Sequence, residues 1–309
     1  MIRELVIVGE GSQYPLKGIL TLPDNAEAPV PAVVFVHGSG ASNMDEKVGK
    51  LTPFKDLAEG LAELGIASIR YDKRSYTHGW KLLKEKNITV KVETIEDAIL
   101  ATEMLRNDSR IDKENIFIAG HSMGAMLAPR IDAEGGDYRG LILLAGSPRK
   151  LEEIVIDQNE AALREMPPFL RWIVKKQMKK LTASFQGLYE MSDEDAKKKK
   201  FGGGTTLYYF KEMGEHASAD YLENLEKPVM IMQGEKDFQA TVEKDFEGYK
   251  QLLKGKNNVT FRLYENLNHA FVPSVYGTIM KAKQEYNVEQ HIGKNVIEDL
   301  ANWIFGAVL

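Results

Sequence analysis

"IFIAGHSMGA", residues 116–125, decides the fold. Ile116, Phe117, Ile118 and Ala119 form a short β-rich apolar run, and Gly120-His121-Ser122-Met123-Gly124 follows. "MGAMLAPRI" comes next with helical character. The order predicts a buried strand, a tight turn and a helix. A serine in such a turn occupies strained backbone, and flanking glycines let other chain pass close. Its hydroxyl stands clear of the sheet, and the next helix aims its N-terminus at the same point. The G-x-S-x-G pattern alone is a weak signal; the strand before it and the helix after it supply the context it needs.

Outward from this turn the pattern repeats. Residues 3–8 and 16–22 read as strands joined by a turn-rich hinge. "AVVFVHG" (32–38) reads as a strand buried on both faces. Phe54, Leu57, Ala58, Leu61 and Leu64 recur at helical spacing between Pro53 and Gly65. "IASIRYD" is a strand, Ile95 to Leu105 a helix, "NIFIAGH" a strand and "GLILLAG" another. Alternation over 32–146 implies a parallel sheet with helices on both faces. It stops over 148–226, which is charged, helical in period and broken by "MPP" and "FGGGTT". It resumes at "KPVMIMQGEKD", continues through a helix and "NVTFRLYENLNHAF", and finishes in a terminal helix over roughly 288–305 that includes His291. Nearly eighty residues between two strands is too long for a plain loop. We therefore expect a core of 1–147 and 227–309 with 148–226 as a helical cap. The "KKKK" run at 197–200 reads as solvated surface.

Bulk composition narrows the function. The chain has 309 residues, 43% hydrophobic and 28% charged, with a formal charge of −5 and no cysteine. A thiol nucleophile and thiolate metal sites are excluded. The acidic balance argues against nucleic acid. No basic-then-apolar leader is seen, and no apolar run is long enough to span a bilayer. The expectation is a cytoplasmic protein without cofactor or metal.

A serine hydroxyl needs a base beside it. His121 adjoins Ser122 on the wrong side of the turn, and His37 ends a strand, where it fixes the "HGSG" loop. His78 and His216 read as surface residues. His269 follows the last strand, at the strand ends where parallel sheets bind ligands, and is the candidate base. Asp237, three residues past Gly234, is the candidate acid that orients it. Asp245 lies within the next helix, and capping that helix is the competing role for Asp237. The order Ser122, Asp237, His269 is that of nucleophile-elbow hydrolases. Oxyanion donors are expected from the backbone N–H groups of Met123 and Ser39. "HGSG" lacks the lysine of a phosphate loop.

These stretches resemble the α/β-hydrolase superfamily over nearly the whole chain. "PAVVFVHGSGASNMDE", "PFKDLAEGLAELGIASIRYDKRSYTHG" and "VMIMQGEKDFQAT" are similar to bacterial carboxylesterases of the dienelactone-hydrolase-like group, relatives of prolyl-oligopeptidase catalytic domains and of cinnamoyl (feruloyl) esterases. The resemblance implies a mostly parallel eight-stranded sheet, a cap after the sixth strand, and ester hydrolysis through an acyl-enzyme. It implies the same triad and oxyanion donors. Serine replaces the cysteine of dienelactone hydrolase, no propeller domain is present, and the elbow has no dehalogenase aspartate.

The reading is a serine carboxylesterase of small to medium esters, aryl or hydroxycinnamoyl esters among them. A peptidase or acyltransferase with the same triad, and a non-catalytic ligand-binding relative, stay open. The expected partner is a small-molecule ester, not nucleic acid or a membrane; the assembly is a monomer or homodimer. Leu170, Ile173, Val174, Met178 and Leu181 share a helical face expected to roof the acyl pocket, with a membrane-surface helix as the alternative. Phe201, Tyr208, Tyr209 and Phe210 either stack on an aryl group or pack the cap. His37, Gly38, Tyr208 and Tyr209 are candidate substrate contacts. Asp72, Lys73, Arg74 and His78 are expected to form an ion network near the mouth, or to favour an anionic substrate.

Overall fold

β-Branched and aromatic runs fit a pleated surface packed on both sides, and the apolar runs form strands accordingly. The computed structural model describes residues 1–24, 27–85, 87–202 and 204–308. Asn25, Ala26, Lys86 and Leu309 of the segments read as core, and Gly203 of the glycine run, lie outside the described residues.

β1 (Ile2–Val8) and β2 (Leu16–Leu22) pair antiparallel. β3 (Val30–Val36) leads to α1 (Pro53–Glu63), β4 (Ala67–Tyr71) and α2 (Arg74–Leu82). Then come α3 (Glu96–Arg106), β5 (Ile111–His121), α4 (Met123–Ile131) and β6 (Gly140–Leu144). The long insertion holds α5 (Leu151–Glu165), α6 (Pro168–Ser184), α7 (Asp193–Lys198), a hairpin of β7 (Lys200–Gly202) and β8 (Thr205–Thr206), α8 (Leu207–Gly214) and α9 (Ser218–Leu222). β9 (Val229–Gly234), α10 (Glu247–Leu252), β10 (Val259–Tyr264), α11 (Ala282–Glu285) and α12 (Lys294–Val308) follow.

The eight-stranded sheet runs β1-β2-β4-β3-β5-β6-β9-β10. β2 meets β4 antiparallel, and every pair from β4 to β10 is parallel. Side chains two apart share a face. Val34, Val36, Ile116 and Ile118 pack with Leu105 and Leu127 of α3 and α4 on one face. Val33, Phe35, Phe117 and Ala119 pack with Phe54 of α1 and Leu300 of α12 on the other. From β3 the chain turns to β4 on one side and later to β5 on the other. β3 and β5 therefore flank the switch point, where ligands bind beyond the strand ends. Val36 pairs with Gly120, so His37-Gly38-Ser39 and His121-Ser122 leave the sheet side by side.

Four local expectations change. The stretch after β4 forms α2, which no apolar period announces: only Arg74 and Leu82 of it are buried. β5 starts at Ile111, before the expected "NIFIAGH" run. α12 starts at Lys294, after Gly293, so His291 lies in the preceding loop, with Nδ1 3.0 Å from Asp56 Oδ1. The insertion contains the β7–β8 hairpin as well as helices.

Gly124 shows how tightly the sheet and α4 close. A Cβ there would stand 2.1 Å from the Val36 carbonyl oxygen. One at Gly306, in α12, would meet nothing within 4 Å. Gly124→Ala is expected to cost about 3 kcal/mol through overpacking. Gly306→Ala is expected to stabilise by about 0.5–1 kcal/mol, as Gly-to-Ala changes in helices do. Urea unfolding of both variants measures the contrast; equal midpoints would refute the packing account.

Candidate active site

Ser122 lies at the junction of β5 and α4 with φ 54° and ψ −118°. A non-glycine residue with positive φ is held there only by its surroundings. Its N–H donates to the Leu144 carbonyl at 2.8 Å, which ties the turn to β6. A Cβ at Gly120 would lie 2.2 Å from the Gly124 carbonyl oxygen. Both glycines of the motif thus permit contacts between backbones, from β5 to α4 and from α4 to β3.

The last two strands deliver the acid and the base. Asp237 follows β9 and His269 follows β10; both are buried. His269 Nδ1 and Asp237 Oδ2 are 2.7 Å apart, so the Nδ1–H donates to the carboxylate and Nε2 is left to face the cavity. The N–H groups of Gln239 and Ala240 donate to Asp237 Oδ1 at 2.7 and 3.0 Å, and Gln233 Nε2 donates to Oδ2 at 2.7 Å. These donors fix the carboxylate in place. Asn268 Oδ1 accepts the Ala270 N–H at 3.0 Å, and Asn268 Nδ2 donates to the buried Glu285 carboxylate at 2.9 Å, which pins the His269 loop. Asp245 is engaged elsewhere, by Ser147 Oγ and Arg149. Ser122 and His269 line the same cavities.

Met123 is the first residue of α4, whose leading N–H groups have no partner within the helix. Ser39 lines two cavities that also include Ser122. Between them sits a charged cluster that the sequence did not announce. Glu46 Oε1 accepts the Gly38 N–H at 2.8 Å, while Oε2 lies 3.0 Å from His121 Nδ1. The two groups form a largely buried ion pair. The other nitrogen of His121, Nε2, donates to the His269 carbonyl at 2.9 Å. His121 therefore bridges the elbow to the His269 loop and leaves proton abstraction to His269. Burial pulls the His121 imidazolium down, but Glu46 and the His269 carbonyl outweigh it and raise its pKa. Burial pushes the Glu46 carboxyl up, yet His121, His37 and the Gly38 N–H hold it below the usual range.

Three cavities lie around the elbow, and Ser122 borders the two smaller ones. One of about 550 Å³ is largely apolar, walled by Leu82, Leu151, Val155, Phe201, Tyr209 and Phe210, and touches Ser39 and Met123. One of about 160 Å³ includes Ser122, His269, Ser147, Gln158 and Gln239. A third of about 240 Å³ opens between Gly38, Glu46 and Tyr286.

Several candidate residues move. His37 lies beneath the site, not in it: Nε2 donates to the Tyr71 carbonyl, and its ring packs on Phe54. Gly38 borders the outer cavity, and a Cβ on it would lie 3.0 Å from the Cβ of Ser122. Tyr209 walls the large cavity and donates to Glu93 Oε2 at 2.8 Å. Tyr208 turns away, under the Lys197 ammonium. Phe201 and Phe210 pack edge-on with each other, which is the packing role read for them, and both also wall the cavity. The roof expected from Leu170, Ile173 and Val174 is instead supplied by α5, α8 and Phe201, because α6 packs outside on α5. Leu170 and Ile173 are exposed. Of the four residues expected to form an ion network after β4, Lys73 pairs with Glu93 and Arg74 with Asp97 and Glu96, while Asp72 accepts the Met44 N–H. Its arginine is fully engaged, and His78 stands apart on the Pro15 carbonyl. Among the described residues no acid–histidine cluster fit for a metal occurs, and no helix is long and apolar enough to cross a membrane.

A family model described as "Serine aminopeptidase, S33" matches residues 27–273. Esterase EstD of Thermotoga maritima is 32% identical over 290 residues, which is 94% of this chain. The chain spans 65% of that relative's length. Est1E of Butyrivibrio proteoclasticus, solved with ferulic acid, superposes with a TM-score of 0.59 at 14% identity, covering 98% of this chain and 99% of that one. An esterase of Pyrococcus furiosus gives 0.56 at 17% identity, covering 98% and 91%. A putative dienelactone hydrolase of Klebsiella pneumoniae gives 0.53 at 15% identity, covering 98% of both chains. At these identities the structural likenesses show a shared fold.

The His121–Glu46 pair carries a pH signature. His121 is raised above its ordinary 6.5, so its stabilisation is complete below 6.5 and is lost as pH rises through the folded value. Glu46 is depressed below 4.5, so its stabilisation is complete above 4.5 and is lost as pH falls through the folded value. Denaturant unfolding of wild type and His121→Gln across pH 5 to 9 reads the alkaline limb. The wild type is expected to lose stability above 6.5 and the variant to lose less; parallel curves would refute the charged pair.

Proposed function

The chain belongs to the family described as serine aminopeptidase, S33, with the α/β-hydrolase fold, and on that premise we propose that it is a serine carboxylesterase. The observation that carries the reading is the Asp237–His269 pair at 2.7 Å, with His269 lining the same cavities as the strained Ser122, next to an apolar cavity bordered by Ser39 and Met123. His269 Nε2 takes the Ser122 proton as Oγ attacks the ester carbonyl. The N–H groups of Ser39 and Met123 receive the oxyanion. His269, oriented by Asp237, then gives its proton to the departing alcohol. A water activated by the same nitrogen releases the acid and restores Ser122.

The cavities suggest which part of the ester goes where. The alcohol departs beside His269, on the side of the smaller cavities. The acyl group then occupies the 550 Å³ cavity, away from His269. Its volume and its Phe201–Phe210 wall suit a medium-length or aryl acyl group. An aminopeptidase would need a free carboxylate to hold the substrate ammonium. Glu46 and Glu93 are the carboxylates bordering the cavities about Ser39, and each already faces a cation, His121 or Lys73. This favours the ester over the peptide. Residues 148–226 would act as a cap over a core of 1–147 and 227–309, with α5 and α8 setting the acyl pocket.

The test is a series of nitrophenyl esters from acetate upward, methyl ferulate and an aminoacyl anilide. kcat/KM is expected to rise from acetyl to medium acyl chains, with the anilide slowest. Ser122→Ala is expected to lower kcat by roughly 10⁴–10⁶, and Asp237→Asn by roughly 10³–10⁴. Activity that survives Ser122→Ala, or anilide turnover above every ester, would overturn the reading.

A further inference from the structure

Lys73, at the head of α2, is almost fully buried, and its ammonium reaches the loop that carries Ser39. Nζ donates to the Gly38 carbonyl at 2.8 Å and lies 3.6 Å from Glu93 Oε1. The peptide Gly38–Ser39 is trans, as is every peptide among the described residues. In a trans peptide the C=O and the following N–H point in opposite directions within one plane. Fixing the Gly38 oxygen toward Lys73 therefore turns the Ser39 N–H the other way, out of the protein interior. Ser39, unlike Lys73, lines the cavities on that side.

The preceding peptide is held as well, because the Gly38 N–H donates to Glu46 Oε1. Gly38 is thus gripped on both faces by charged groups, each balanced by a partner of opposite sign. A glycine in a loop has wide freedom, and these two bonds remove it. The cation on the carbonyl also polarises the amide and makes its N–H a stronger donor.

We propose that Lys73 is a positioning residue that aims and strengthens the Ser39 N–H as an oxyanion donor. The proposal rests on the esterase reading and adds a residue that touches neither substrate nor Ser122. Burial lowers the Lys73 pKa, and Glu93 and Glu46 offset this in part. The arrangement is held by balanced charges, so removing one alone leaves a buried charge unpaired.

The experiment compares wild type, Lys73→Met and the double variant Lys73→Met/Glu93→Gln. The double variant removes the buried cation together with its partly buried partner and keeps the comparison available where the single variant does not fold. Three quantities are read: kcat, KM for a nitrophenyl ester, and the Kd of an alkylboronic acid, whose tetrahedral serine adduct mimics the oxyanion. Loss of a whole oxyanion donor costs on the order of 10²–10³ in rate. A misaimed donor is expected to lower kcat by roughly 10- to 100-fold, with KM within about twofold and boronate affinity down by the same factor as kcat. A folded variant with wild-type kcat, or one in which KM alone changes, overturns the proposal. Labelling of wild-type Ser122 by a fluorophosphonate separates this from the parent reading. No labelling and no turnover in the wild type overturn both; labelling and turnover unaffected by loss of Lys73 overturn this one alone.

Discussion

The site depends on how closely three backbones approach at the head of β5. Gly120 lies against Gly124, and Gly124 lies against the end of β3. Any side chain at either position would push α4 off the sheet. With the glycines in place, α4 starts directly above β3 and β5, and its free N–H groups converge with the β3 loop on one point. Ser122 is left at positive φ as the residue that bridges strand and helix. Its strain is sustained by the surrounding packing, which is the condition under which such conformations persist.

Charge is arranged around that point in balanced pairs. Asp237 meets His269, Glu46 meets His121, and Glu93 meets Lys73. Buried pairs of this kind contribute little net stability, because desolvation offsets their attraction. What they supply here is orientation. Each fixes a loop end that lacks sheet hydrogen bonds of its own: the His269 loop, the junction of elbow and β3 loop, and the Gly38–Ser39 peptide. Dipoles already aimed at a substrate oxygen need no reorientation when charge develops there, and such preorganisation commonly lowers the barrier more than any other single effect.

The core was largely legible in the sequence because its signals are local. Continuous apolar runs at β3, β5, β6 and β9 can only be buried strands, and α1 announces itself through Phe54, Leu57 and Leu61 between a proline and a glycine. The triad candidates were legible because strand ends are, and Asp237 and His269 each follow one. Glu46 was not legible. It sits in "ASNMDEK", a polar loop with no period, and its partners are 8 and 75 positions away. Lys73 was legible only as a charge near the mouth, since nothing in "YDKR" says that its ammonium turns inward to a glycine carbonyl. The face of α6 misled for a related reason. An amphipathic period tells that a helix covers something, not what it covers, and α6 covers α5.

That error bears on how specificity is built. The acyl cavity is walled on the core side by Ser39, Met123 and the α2 residue Leu82, held by the sheet and its loops. On the other side it is walled by α5, Phe201 and α8, from an insertion whose outer helix leaves Phe169 and Trp172 exposed. The two halves have different constraints. The core half includes the proposed oxyanion donors, and a shift there of even an ångström is costly to reaction geometry. Phe201 and Phe210 of the insertion half border only the proposed acyl cavity, where contacts are apolar and volume-dependent, so these side chains can change size at a cost of about 1–3 kcal/mol each. The aromatic part of the acyl wall therefore lies on a different segment of the chain from Ser122, Asp237 and His269. Tyr209 links the two halves: its ring faces the acyl cavity, and its hydroxyl binds the carboxylate that balances Lys73. A substitution there that altered acyl preference would also disturb the charge pair behind the Ser39 loop, whereas one at Phe201 would alter preference alone.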